Sequence, residues 1–157
     1  MRFADFPNNK LNLSTIRRTS VEMDEQFKRS RLAKGDILLS IRGSVGRLVM
    51  VPEQLANANI TQDNARLTIQ NHVSSAFVFW YIQAESTQSR MRQATKGVAV
   101  RGINIGDVRA LQVPLSSKDE QVEIVNRIEA RYLKAKAKVG RLPPALLAKA
   151  FRGELVA

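Results

Sequence analysis

Two glycine-bearing stretches hold the residues best suited to chemistry, and that chemistry is the gripping of phosphates and base edges. In the first, Arg42-Gly43-Ser44-Val45-Gly46-Arg47, two guanidinium groups flank a glycine-punctuated turn. In the second, Arg90, Arg92, Thr95, Lys96 and Arg101 gather around the loop Gly97–Gly102, with Asn104 just beyond. Arg or Lys beside a close-approaching backbone can meet a phosphate or the acceptor edge of guanine. Ser44, Thr95 and Asn104 can add hydrogen bonds to either. A solvated basic face accounts for any one of these residues. Their joint placement on two loops favours binding, and the candidate DNA-binding set is Arg42, Ser44, Arg47, Arg92, Thr95, Lys96, Arg101 and Asn104.

A catalytic centre is harder to assemble. His72 is the only histidine and cysteine is absent, so no metal site is expected and no thiol nucleophile exists. There is no Walker A sequence and no G-x-G-x-x-G, and Gly43–Gly46 lacks the helix that a phosphate-cradling turn should open. The carboxylates are scattered, many at helix starts where capping explains them. Asp63, in Gln62-Asp63-Asn64, suits a turn or hydrogen-bond role. The expectation is a non-catalytic protein without a cofactor of its own.

Charge agrees. Twenty-five Lys and Arg against 14 Asp and Glu give +11 at pH 7, a surplus that attracts polyanions, nucleic acid foremost. The apolar fraction of 44% supports a real core. Nothing resembles a signal peptide, and no apolar run approaches membrane-spanning length, so no membrane partner and a cytoplasmic location are expected.

The elements that must carry these loops form a mixed α+β body. Leu11 and Leu13 alternate with polar residues as in a short strand. Thr19-Ser20-Val21-Glu22 caps a short helix over 22–31. Ile37–Ile41 is a continuous apolar run that suits a buried strand, followed by a glycine hairpin and a second strand over Leu48–Val51. A third strand is expected over Arg66–Ile69. The aromatic-rich Ser75–Ile82 continues as helix through Gln93, and its Phe77, Phe79, Trp80 and Tyr81 suit core better than base stacking. Thr95–Asp107 reads as loop with a short strand near Val98–Val100, and Ala110–Pro114 as a last strand.

At Ser117-Lys118-Asp119-Glu120 a capping box opens a long helix, Lys118–Leu142, with acidic residues in its first turns and basic residues in its last. Val125, Ile128, Tyr132, Ala135, Val139 and Leu142 are spaced 3, 4, 3, 4, 3, a heptad seam suited to pairing with another helix. Pro143-Pro144 is expected to break it. A short C-terminal helix then carries Leu146, Leu147, Ala150 and Phe151 on one side and closes at Gly153.

Taken in order, several of these stretches resemble the specificity subunit of type I restriction-modification systems. The residues that carry the resemblance are Leu32-Ala33-Lys34-Gly35-Asp36-Ile37-Leu38-Leu39-Ser40-Ile41-Arg42-Gly43-Ser44-Val45-Gly46, then Asn59-Ile60-Thr61-Gln62-Asp63. The Thr95-Lys96-Gly97 loop running to Ile103 and Ile105 follows, then Val113-Pro114-Leu115, Glu120-Gln121, Ile124-Val125 and Ile128-Glu129. The tail Leu147-Ala148-Lys149-Ala150-Phe151-Arg152-Gly153-Glu154-Leu155 looks like the close of such subunits.

The resemblance implies sequence-specific recognition of double-stranded DNA that directs methylation and restriction by modification and restriction subunits. S-adenosylmethionine and ATP are expected on those partners alone. It further implies a half-length unit: residues 1–117 as one target-recognition domain with its first strands missing, and 118–157 as a conserved helical dimerisation and spacer region. Two copies would pair antiparallel through the long helix as a homodimer. The alternative is a helical adaptor that binds modification subunits without reading DNA. Ser116-Ser117 stands where prolines often occur in that family, and the capping role absorbs the change.

Overall fold

A computed structural model describes residues 2–6, 12–97 and 101–152. At its centre lies a three-stranded antiparallel sheet, β1 (Ile37–Ser40), β2 (Leu48–Met50) and β3 (Asn64–Leu67), in the order β2-β1-β3. The register pairs Leu39 with Leu48 on one side and with Ala65 on the other. All four residues of β1 are buried because both sheet faces are covered. Ile37, Leu39 and Ile41 pack with Val78, Ile82, Met91, Ile103 and Val108. Leu38 points the other way, into Phe6, Leu32, Val49, Val51 and Leu55. The unbroken apolar run in the sequence thus reflects a strand buried on both sides.

Helices follow the sheet: α1 (Val21–Gln26) lies before β1, and α2 (Ser75–Gln83), α3 (Glu85–Ala94), α4 (Ile105–Arg109) and α5 (Lys118–Phe151) come after β3. Serine caps start three of them: Ser20 Oγ accepts from Met23 N–H, Ser74 Oγ from Phe77 N–H, and Ser117 Oγ from Glu120 N–H. The α1 helix is tied down by Arg31, which donates to Asp24 and Glu25, while the Asn59 amide also reaches Asp24. The Arg31 hydrogen bond holds the Asp24 carboxyl below its ordinary range, so this tie is intact at neutral pH.

Several expectations are corrected. The single helix expected over 75–93 is two, because Ala84 is extended (φ −60, ψ 139) and separates α2 from α3. Ala110–Pro114 pairs with no strand among the described residues and runs irregularly towards α5, while α4 occupies part of the expected loop. Leu13 lies in a 3-10 turn, Leu13–Thr15, and not in a strand. Leu11, Val98–Val100 and Gly153 fall outside the described residues.

The largest correction concerns the C-terminal region. There is no separate short helix, since α5 runs 34 residues straight through Pro143 and Pro144. Two prolines remove two N–H donors and leave the carbonyls of Val139 and Gly140 without their helical partners. Every described side chain from Glu129 to Arg152 is exposed, so water can take those carbonyls.

The first turns of α5 are bolted to α2. Gln121, 1% exposed, accepts from Ser74 N–H at 2.9 Å and donates from Nε2 to the Ser116 carbonyl at 2.8 Å. Lys118 Nζ donates to the Asn71 carbonyl at 2.7 Å. Gln121→Ala strands the Ser74 N–H and the Ser116 carbonyl, so a loss of about 1–3 kcal/mol in urea unfolding is expected. A loss of under about 0.5 kcal/mol would mean that the bolt contributes nothing.

Candidate nucleic-acid interface

The two basic loops meet, although some 55 residues of chain separate them. Beyond Ser40 the β1 chain continues between two neighbours. On one side, Ile41 N–H and Arg42 N–H both donate to the Asp63 carbonyl, at 2.9 and 3.3 Å. On the other, Gly43 N–H donates to the Arg101 carbonyl and Ile103 N–H to the Ile41 carbonyl, each at 2.9 Å. Gly102 is the join: it bridges to Arg42 and, through two 2.9 Å backbone bonds, to Lys96. A Cβ at Gly102 would stand 3.3 Å from the Ile41 carbonyl oxygen, so the close approach favours glycine.

This pairing produces an open groove. Gly43, Ser44 and Val45 form one wall, and Arg92, Thr95, Gly97 and Arg101 the other. Arg42 and Lys96 stand beside it on the backbone that Gly102 ties together, and both are exposed. Neither they nor Arg101 have an ion-pair partner among the described residues. Unpaired cations over glycine-bearing backbone can meet a phosphate, or with arginine the O6/N7 edge of guanine.

The eight candidates do not all converge. Arg92 lines the groove but pairs with Glu85 one face along α3, which lowers its free charge. The Thr95 hydroxyl donates to the Met91 carbonyl at 2.7 Å, leaving its oxygen as an acceptor. Asn104 Oδ1 accepts from Gly106 N–H at 2.8 Å and so caps α4, a structural task that its position before a glycine could have announced. Arg47 Nη2 reaches the Phe6 carbonyl at 3.4 Å, towards the N-terminal segment, and is not part of the groove lining. Asp63 contributes its backbone carbonyl to the site, in keeping with a turn role. His72 is exposed in the turn before α2, and no group of three or more potential metal ligands gathers among the described residues. The residue that sequence reasoning missed is Gln88, whose side chain reaches from α3 to the Gly43–Gly46 turn. Its only signal is its place one helical turn before Arg92.

The pairing seam divides in two. Val125 is buried against the domain, Ile128 is half-buried, and Tyr132 leans on Trp80 with ring centroids 5.6 Å apart. Trp80 Nε1 also donates to Glu129 at 3.3 Å, so its half-buried ring packs against α5 outside the core clusters, whereas Phe79 and Tyr81 do pack against the core. Ala135, Val139 and Leu142 lie beyond the body and are exposed. No helix among the described residues is long and apolar enough to cross a membrane.

Comparison with known proteins yields one consistent family. A family model for the type I restriction modification DNA specificity domain matches residues 5–137. The specificity subunit of the type I restriction enzyme EcoBI of Escherichia coli is 35% identical over 168 aligned residues, covering all of this chain and 35% of that subunit. The EcoKI specificity subunit of Escherichia coli strain K12 is 28% identical over 180, covering 94% of this chain and 37% of the relative. The chain therefore spans about a third of the length of the curated relatives it matches. Among solved structures, the HsdS subunit of Thermoanaerobacter tengcongensis shares the fold with a TM-score of 0.60 at 18% identity, over 71% of this chain and 29% of that one.

Proposed function

The chain belongs to the type I restriction modification DNA specificity family, and from that premise we propose that it reads double-stranded DNA through the groove between its two basic loops. One observation carries the reading: Gly102 holds Arg42 and Lys96 on either side of one backbone, so cations distant in sequence act at one place. Residues 1–117 do the recognition, and 118–157 pair and space two recognition units. The protein catalyses nothing. Methyl transfer and cleavage, with their S-adenosylmethionine and ATP, belong to modification and restriction subunits that it directs, in the cytoplasm. Two copies paired antiparallel through α5 would present identical grooves in opposite directions and read a symmetric, interrupted sequence.

Phosphate contacts make binding fall with salt, by about 0.9 in log–log slope for each phosphate neutralised. Arg101→Ala and Arg42→Ala are each expected to weaken duplex binding by about 1–3 kcal/mol if the arginine reads guanine, or to shallow the salt slope by about 0.9 if it holds phosphate. Fluorescence anisotropy across a salt series distinguishes the two. If both variants bind, discriminate and respond to salt as the wild type does, the groove is not the interface.

The exposed half of α5 favours a second reading, a helical adaptor that assembles with modification subunits without selecting DNA. Light scattering on the chain co-purified with the modification subunit, followed by duplex binding, separates the two. Assembly without sequence preference selects the adaptor.

A further inference from the structure

Gln88 sits where the groove's two walls are joined from behind. Its Nε2 donates to the Gly46 carbonyl at 3.1 Å and to the Ile82 carbonyl at 2.8 Å, which commits both amide hydrogens. The first of these bonds reaches the turn that forms one wall, and the second anchors the side chain to the end of α2. Gly46 is buried with φ +91, and its N–H donates to the Ser40 carbonyl at 3.0 Å, so the turn is fastened to β1 as well. A Cβ at position 46 would lie 2.5 Å from Gln88 Oε1 and would force the glutamine side chain aside, in addition to the strain of the positive φ. Gln88 and Arg92 are four residues apart on α3 and share a face. One helix therefore carries a cation on one wall and pins the opposite wall.

We propose that Gln88 is a positioning residue that fixes the gap between the Gly43–Gly46 turn and α3, and thereby sets base discrimination rather than gross affinity. The inference rests on the DNA-reading function proposed above. The reason is a difference in tolerance. Phosphate contacts by long cations survive small shifts of a wall, whereas a bidentate contact with a base edge depends on position.

The test uses the full chain and a library of duplexes randomised in sequence. Wild type, Gln88→Met, Gln88→Lys and Arg101→Ala are each carried through selection, then titrated against the wild-type consensus and its single-base-pair variants. Methionine keeps the length of the side chain but has no donor, whereas lysine keeps donors within reach of both carbonyls. Gln88→Met is expected to lose about tenfold in discrimination, the scale of one base contact, with its salt slope unchanged. Gln88→Lys should stay within about threefold of wild type, because hydrogen bonding and not the amide itself is what counts. If Gln88→Met unfolds, the lysine variant carries the test, and a folded Gln88→Lys protein without discrimination overturns the proposal. So does a Gln88→Met protein that discriminates as wild type does while Arg101→Ala does not. If wild type itself enriches no motif, the DNA-reading function fails and takes this inference with it.

Discussion

Leu39→Ala is expected to lower the free energy of unfolding by about 2–5 kcal/mol. Leu39 has no exposed surface and occupies the middle of the central strand, opposite Leu48 in β2 and Ala65 in β3. Its side chain lies in the cluster that joins the sheet to α2, α3 and α4 through Val78, Ile82, Met91 and Val108. Truncation removes an isopropyl group from contact and leaves a cavity, and a strand hydrogen-bonded on both edges cannot move to fill it. Against the 5–15 kcal/mol typical of a whole domain, this is a large share. Urea denaturation should show a lower midpoint with an unchanged slope. Leu13→Ala, at a residue 59% exposed, should change stability by less than about 0.5 kcal/mol. Equal effects at the two positions would mean that the sheet is not the centre of the core. Binding would suffer with stability, because the chain leaving β1 is the one that places Arg42.

Leu142→Asp has the second large effect, on association and not on folding. Past Tyr132, which leans on Trp80, the long helix is exposed along every described side chain. Leu133, Val139, Leu142, Leu146, Leu147 and Phe151 remain about half exposed or more along roughly 30 Å of helix. An exposed helix interrupted by two prolines gains little from propensity alone, so a partner helix would stabilise it as well as cover it. An aspartate at Leu142 forfeits about 2 kcal/mol of burial and sets a charge in the seam, once from each copy. If two copies pair through α5 as proposed, the dissociation constant of that pair should rise at least 100-fold, or about 2.7 kcal/mol, by sedimentation equilibrium, while thermal unfolding of the body stays in place. A dimer as tight as wild type would place the interface elsewhere. Ile128→Asp is a poorer probe. Ile128 is half-buried against its own domain, so the change would damage folding and pairing together.

The sequence by itself determined what is local. A serine whose Oγ accepts from the N–H three residues on starts a helix whatever surrounds it, so Ser20 and Ser117 were legible and α5 begins where the capping box says. The run Ile37–Ile41 announced a strand buried on both faces, and the glycine hairpin after it formed. Residue types also sufficed to nominate two basic loops. Tertiary structure decided which of those residues act together, because no periodic signal records the distance between segments 55 residues apart. Gly102 brings Arg42 and Lys96 to its two flanks. Arg92 is claimed by Glu85, Asn104 by a helix cap, and Arg47 lies away from the groove. The same holds for the seam: its heptad period says that one stripe must be covered, and says nothing of by what. Packing on α2 takes Val125 and Tyr132, whereas Val139 and Leu142 stay open. Where propensity and environment disagreed, at Pro143-Pro144, environment prevailed. An exposed helix can hydrate the carbonyls that proline orphans, which a buried one cannot.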